Sequence, residues 1–287
     1  MLVGVDVGGS KIEAALVDGD KIIKKARRAT EADKGKNTVL SNITDAIAEI
    51  FSGEVEAIGV GLAGPFDPEA EVLTMSPHIP CLIGYPVKTY LEGQFKVKVA
   101  LDNDARMFTR GVHEFEYNDV KNLVGLTLGT GVGGAVIIDG ILQDNPRDTS
   151  EELGHMVIVK DGRRCACGEH GCIEAYASGG AVESMFNELT GISLEAKTII
   201  ELASGDKEAK KVIEAAGVHL AKGFAVIVDK YNPEVIAIGG GVSEAKELLR
   251  IARLEFGKMR PYALVRIEKP KLKDASLLGA ALFASRY

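Results

Sequence analysis

The spacing of apolar positions shifts along the chain and marks out its elements. Leu2-Val3-Gly4-Val5-Asp6-Val7 is a near-continuous apolar run of buried-strand type, and Ile12–Val17 is a second one. Thr38–Phe51 changes to the helical period, with Val39, Ile43, Ala46, Ile47, Ile50 and Phe51 on one stripe and Gly53 beyond its end. Ala57–Leu62 reads as a strand, Pro86–Phe95 as a short helix with proline near its start, and Val97–Leu101 as another strand. A helix follows, with Ala105, Phe108, Val112 and Phe115 on one face. Asn122–Leu128 and Ala135–Ile138 are strands on either side of a glycine-rich turn. Ile173–Leu189, Leu194–Ala203 and Lys207–Val228 are helical, separated by Gly191 and by Ser204-Gly205. Pro233–Ile238 is a strand whose glycine run opens a helix over Ser243–Leu254; Val265–Ile267 is a final strand and Asp274–Phe283 a last helix. Strands alternating with helices predict an α/β protein that gathers its ligands beyond strand ends. No linker or low-complexity segment interrupts the pattern, so a domain boundary is expected as a hinge between packed lobes.

Composition adjusts this picture only at its edges. At 46% hydrophobic and 26% charged residues, the chain has the make-up of an ordinary globular protein. A net charge of -7 argues against a nucleic-acid partner, since no basic excess exists to neutralise phosphates. The local cluster Lys24-Lys25-Ala26-Arg27-Arg28 suits a solvated strand edge equally well. Met1–Val7 has no basic leader and is broken by Asp6, so it reads as neither signal peptide nor anchor, and no run reaches the ~20 apolar residues of a spanning helix. The expectation is a protein of the cytoplasm with no membrane partner, and the cysteine usage discussed next agrees with a reducing compartment.

Five places carry candidate chemistry. Asp6 at a strand end leads into Gly8-Gly9-Ser10-Lys11, where bare glycine backbone can approach a phosphate and Ser10 and Lys11 add donors; a plain hairpin tip is the alternative, and both can hold together. Gly129-Thr130-Gly131-Val132-Gly133-Gly134 repeats the device, and two such turns suggest two halves related by duplication, with nucleotide phosphates between them. Asp102-Asn103-Asp104 stands at another strand end, either as ligand-handling groups or as a helix N-cap. Glu152-Leu153-Gly154-His155, followed by Cys165-Ala166-Cys167-Gly168-Glu169-His170-Gly171-Cys172-Ile173-Glu174, places three of the four cysteines within eight residues. One imidazole and three thiolates form a complete tetrahedral set for Zn²⁺, against the alternatives of clustered core thiols or a redox pair. The remaining cysteine, Cys81, reads as an ordinary thiol. Gly239-Gly240-Gly241 can face an anion or a purine ring.

Together these motifs resemble the ROK family (repressors, open reading frames, kinases), sugar kinases of the actin-like ATPase class, over essentially the whole chain. The resemblance implies two actin-like, ribonuclease H-like α/β lobes with the active site in the cleft between them. The expected lobes are 1–104, with the C-terminal helix 274–287 packed back on it, and 105–273 carrying the metal. It implies transfer of the γ-phosphate of ATP, with Mg²⁺, to the 6-hydroxyl of a hexose, glucose first. Asp104 becomes the catalytic base; Gly64, Asn103, Asp104, Glu152, His155 and Glu174 become the sugar's partners. Asp6, Gly8, Gly9, Ser10, Lys11, Thr130, Gly131, Val132, Gly133, Gly134, Gly240 and Gly241 become the nucleotide's. His155, Cys165, Cys167 and Cys172 hold a structural zinc that braces the loop of Glu152, His155 and Glu174. The chain departs from the family pattern at His78-Ile79-Pro80-Cys81-Leu82-Ile83-Gly84, where many glucokinases have an Asn-Leu-Pro-Gly-Trp-like segment, and at Asp102, where Glu is usual. N-acetylmannosamine or N-acetylglucosamine is therefore the alternative sugar. A sugar-sensing regulator is the remote alternative: family repressors carry a helix-turn-helix before the first phosphate motif, which here starts at Leu2 of an acidic chain. A homodimer or homotetramer is expected.

Overall fold

The computed structural model describes residues 1–144 and 152–286, which fall into two compact units, Met1–Asp119 with Lys271–Tyr287 and Val120–Pro270. The first unit opens with strands β1 (Leu2–Val7), β2 (Lys11–Asp18) and β3 (Lys21–Ala29), then helix α1 (Lys36–Ile50) and β4 (Ala57–Leu62). A small hairpin of β5 (Phe66–Asp67) and β6 (Val72–Leu73) precedes helix α2 (Val87–Phe95), β7 (Lys98–Asn103) and helix α3 (Asp104–Phe115). The sheet order is β3-β2-β1-β4-β7, with β1, β4 and β7 parallel and the β1-β2-β3 ribbon antiparallel. The central strands are apolar on both faces because both are covered. Val3, Val5, Ile58 and Val60 are wholly buried with Ile43 and Ile47 of α1. The basic run at Lys24–Arg28 lies on the edge strand β3, and Arg28 pairs with Glu49 and Lys25 with Asp274. It is a solvated edge, as its composition allowed.

The second unit contains β8 (Leu123–Leu128), β9 (Val132–Ile138) and β10 (Ile141–Leu142), then the helices α4 (Glu174–Ala177), α5 (Gly179–Thr190), α6 (Ala196–Leu202) and α7 (Lys207–Tyr231). Strand β11 (Val235–Gly239), helix α8 (Lys246–Met259) and strand β12 (Arg266–Glu268) complete it. Its sheet, β10-β9-β8-β11-β12, has the same arrangement of antiparallel ribbon and parallel strands as the first. Phe224, Leu220, Ile213 and Ala221 of α7 are fully or almost fully buried with Val124, Leu126, Ile236 and Ile238 of the sheet. The chain ends in helix α9 (Ala275–Ser285), whose Leu277, Leu278 and Ala281 pack with Ala15 and Val17 of β2 in the first unit.

Three expectations change in detail. The helix expected over 173–189 is two helices, because Ser178 caps a new start: its Oγ accepts from Ala181 N at 3.0 Å. The helix expected from Ser243 begins at Lys246; Gly241–Glu244 is instead a single 3₁₀ turn, closed by the Ser243 hydroxyl donating to Gly240 O at 2.6 Å. Helix α3, expected with the large lobe, belongs to the first unit, where α9 crosses it so closely that a Cβ on Gly111 would lie 2.0 Å from Ala275 O. Tyr287, placed in the expected first lobe, lies outside the described residues.

Candidate functional site

In the first unit, Asp6 is half-buried near the end of β1, opposite Glu13 of β2. Burial pushes its carboxyl up to about 6, with Lys11 pulling down and Glu13 pushing up. Exposed Lys11 is ion-paired with Glu13, beside the turn and not inside it. The turn itself is tight: Gly8 N donates to Lys11 O at 3.0 Å. Fully buried Thr30, at the end of β3, holds it from behind, its hydroxyl donating to Gly8 O at 2.7 Å and its N to Ser10 O at 3.1 Å. On the other side the Gly9 backbone packs against His78, whose Cβ would sit 2.8 Å from a Cβ on Gly9.

Asp6, Gly61 and Asp102 stand in one row across β1, β4 and β7. One residue beyond Asp102 the strand ends at Asn103, which is a true cap: its Oδ1 accepts from Ala105 N at 2.9 Å and Arg106 N at 3.2 Å. The same side chain also donates through Nδ2 to Gly64 O at 2.9 Å, so the cap and the ligand loop are tied by one amide. Gly64 itself has φ +136, open to glycine. Asp104 is therefore the first residue of α3, half-buried, with the helix start seated directly on Gly61. A Cβ there would lie 3.2 Å from Asp104 Cα and 3.1 Å from Met107 Cγ.

In the second unit, the turn Gly129–Gly131 closes with Gly129 N donating to Gly131 O at 2.9 Å. Its outer carbonyls receive the start of α5: Gly179 N donates to Gly129 O at 2.7 Å and Gly180 N to Thr130 O at 3.1 Å. Val132 N donates to Glu174 Oε2 at 2.9 Å, which commits one oxygen of that expected sugar ligand to the turn. Gly133 and Gly134 are already inside β9. Gly240 and Gly241 are exposed at the end of β11, with Gly240 at φ +85 against the backbone of Leu128.

The four metal candidates converge. The ligand atoms of His155, Cys165, Cys167 and Cys172 all lie within 4.8 Å of one another. Cys167 Sγ is 3.8 Å from Cys172 Sγ, and Cys165 Sγ is 3.5 Å from His155 Nδ1. A tetrahedral Zn²⁺ with ordinary bond lengths needs about 3.8 Å between sulfurs and about 3.6 Å between sulfur and nitrogen, so the donor set fits. The fold brings them together through Cys165 N→Glu169 O (2.8 Å), Gly168 N→Cys165 O (3.1 Å) and Ile173 N→Met156 O (3.0 Å), with bridges Val157–Cys172 and Arg164–His170. Burial pushes the Cys165 thiol up to about 11 and the Cys172 thiol further, so without a cation these thiols keep their protons at neutral pH. His155 presents its other nitrogen, Nε2, to Glu152 Oε2 at 3.6 Å. Glu152 is pushed up to about 7, first by burial and then by the carboxylate of Glu174.

Three places that shape these sites have weak sequence signals. Thr30 is one polar residue in a polar stretch, Gly61 one glycine among several, and Ser178-Gly179-Gly180 sits inside a continuous helical period. Only the last, a cap residue before two glycines, could have been read as a helix start.

Two α/β units of matching sheet order, each with a glycine turn between its first antiparallel strands, and a Cys₃His cluster beside paired carboxylates define a narrow class of protein. The chain belongs to the ROK family, whose model matches residues 2–287. It is 34% identical to a glucokinase from Thermotoga maritima, over 98% of this chain and 96% of that one. It is 29% identical to an N-acetyl-D-glucosamine kinase from Pectobacterium carotovorum, over 98% of each. Among solved structures it matches a ROK family glucokinase from Streptomyces griseus, in complex with glucose and AMPPNP, with a TM-score of 0.86, 29% identity and coverage of 100% of this chain and 99% of that one.

Proposed function

We propose that this chain is an ATP-dependent hexose kinase that phosphorylates the 6-hydroxyl, with glucose as its sugar. The observation that carries this is the mounting of Asp104: a carboxylate on the first residue of a helix, one step past the end of a parallel strand, beside an asparagine held by three hydrogen bonds. A base in that position takes the proton of the attacking hydroxyl, a contribution of ~10²–10⁴ in rate. Asn103, Gly64, Glu152, His155 and Glu174 orient the sugar; Glu174 does so through Oε1, since Oε2 receives Val132 N. Backbone N–H groups of the Gly8–Ser10 turn and of the Thr130–Gly134 stretch, other than Val132 N, would receive the phosphates, the Gly240-Gly241 backbone would border the adenosine, and Asp6 would hold Mg²⁺. The metal with ATP supplies charge neutralisation at the transferred phosphoryl group.

Cys165, Cys167, Cys172 and His155 Nδ1 would hold Zn²⁺. Their role is to fix the loop carrying Glu152 and His155, while His155 keeps Nε2 for Glu152 and the sugar. The thiols must stay reduced to serve, which supports a cytoplasmic location. Tyr262 and Leu264, 93% and 98% exposed, supply apolar surface for self-association as a dimer or tetramer.

A second reading, an N-acetylglucosamine or N-acetylmannosamine kinase, is favoured by the N-acetyl-D-glucosamine kinase relative and by His78, which packs against Gly9 of the phosphate turn. A coupled assay with Mg·ATP over glucose, mannose, N-acetylglucosamine and N-acetylmannosamine decides between them. Turnover of glucose with the highest kcat/KM is expected; turnover of the N-acetylated sugars alone would overturn the first reading.

A further inference from the structure

A buried charge cluster lies beside Asp104 that the chemistry above does not use. Asp102 is 5% exposed and Arg106 8% exposed. The Asp102 carboxylate receives Arg106 Nε at 2.9 and 3.0 Å, Arg110 Nη2 at 3.2 Å and the backbone N of Asn103 at 2.8 Å. Positions 102, 106 and 110 recur every four residues, so both guanidiniums lie along one face of α3. Arg110 then reaches α9, its guanidinium carbon 4.4 Å from the centre of the Phe283 ring.

As a stabilising device this is a poor choice. Two cations converge on one buried carboxylate, and Arg110 Nε is buried with no hydrogen-bond partner among the described residues. A well-packed apolar trio at such a site is commonly as stable or more so. What the cluster does provide is orientation. Asp102 receives the backbone N of Asn103, the residue before Asp104, and it grips the first turn of the same helix through Arg106 and the second through Arg110. Strand end and helix start are thus tied to one carboxylate, just before the chain turns from β7 into α3.

We infer that Asp102, clamped by Arg106 and Arg110, is a positioning residue that aims Asp104 at the reacting hydroxyl. It touches neither sugar nor nucleotide itself. Gly61 sets how deep the helix start sits; Asp102 sets how it is turned. The inference rests on Asp104 being the base, and the test separates the two claims.

Four proteins are compared with glucose and Mg·ATP: the unaltered chain, Asp104→Asn, Asp102→Asn and Asp102→Glu. Steady-state kcat and KM are read, with glucose affinity by calorimetry without nucleotide. Asp102→Asn keeps the shape but loses the charge that holds two guanidiniums; kcat should fall about 10²-fold, the scale of an ångström's misplacement, with glucose affinity within threefold. Asp102→Glu restores the charge and should recover at least a tenth of the original kcat. Unchanged kcat in Asp102→Asn overturns the inference, and so does a loss in which affinity falls with kcat and Asp102→Glu gives no recovery. An active Asp104→Asn would instead remove the base assignment, and the positioning claim with it. If Asp102→Asn does not fold, Arg110→Met carries the test from the half-exposed end of the cluster. A kcat about tenfold lower at constant affinity supports the clamp; the original kcat overturns it.

Discussion

Two regions expected to hold the sugar are built by opposite means. Asn103 and Asp104 stand where a parallel strand becomes a helix, and ordinary packing holds them: a cap, a sheet row and a glycine under the helix start. Glu152 precedes and His155 ends a one-turn 3₁₀ segment, and Glu174 opens a four-residue helix, elements too short to be rigid alone. There the Cys₃His cluster takes the place of a core. On the proposed reading, the same task, fixing a polar side chain to within about half an ångström, falls to packing in one unit and to metal ligation in the other. Each should fail in its own way.

The largest expected effect is on the packed side. Asp104→Asn keeps the cap and the seat on Gly61 but cannot accept a proton, so kcat should fall by ~10²–10⁴ while calorimetric glucose affinity stays within about tenfold. A variant with more than a tenth of the original kcat would remove Asp104 as the base.

Next comes Gly61→Ala. The added methyl meets Asp104 Cα and Met107 Cγ at 3.2 and 3.1 Å, tighter than ordinary contact, and the helix start must lift by a few tenths of an ångström or more. The expected signature is a loss of about 10²-fold in kcat, small change in KM for the sugar, and an unaltered circular-dichroism spectrum. An equal loss in KM would show that the seat shapes the sugar pocket and not only the base.

On the ligated side the effect should be smaller and of another kind. Removing the metal with a chelator, or Cys172→Ser, should raise the sugar KM by about 10–100-fold and leave residual kcat, because the loop carrying Glu152 and His155 loosens while Asp104 is untouched. Proteolysis should then cut first between Met156 and Cys172. Metal-free protein with the original KM would make the cluster incidental to sugar binding.

The two sides also differed in how far the sequence revealed them. Strand and helix periods located nearly every element, because core residues such as Val60, Ile47 and Phe224 repeat with the geometry of their own element. The metal set was legible from four residues of two types at close spacing alone. What remained hidden depends on contacts between distant segments. Thr30 behind the first turn, Glu174 bonded to Val132, and Gly61 beneath Asp104 are pairings of residues 22, 42 and 43 positions apart. No local period encodes them. The break at Ser178 was hidden differently: the apolar stripe continues through it, while the two glycines open a new helix whose first N–H groups reach the turn at Gly129 and Thr130.

The smallest effect sharpens the comparison by pH. Asp6 is held at about 6 against 3.8 for an ordinary aspartate, chiefly by burial. Below pH about 4 the carboxyl is protonated in folded and unfolded chains alike. Between about 4 and 6 the unfolded chain ionises first, so the folded state loses stability as pH rises, and above about 6 the loss is complete. Asp6→Asn removes that loss. Discounted for partial exposure, it should stabilise the nucleotide-free, Mg²⁺-free protein by at most about 2 kcal/mol at pH 7.5 and by nothing at pH 4, read from urea midpoints. Adding Mg·ATP should reverse the order at pH 7.5, because only the native carboxylate gains a cation. A difference independent of pH would mean that the substitution acts through packing and not through charge. A carboxylate that ionises at the expense of stability is reasonable where a cation is its working partner. On the proposed reading, each region should be more stable with its cation than without it.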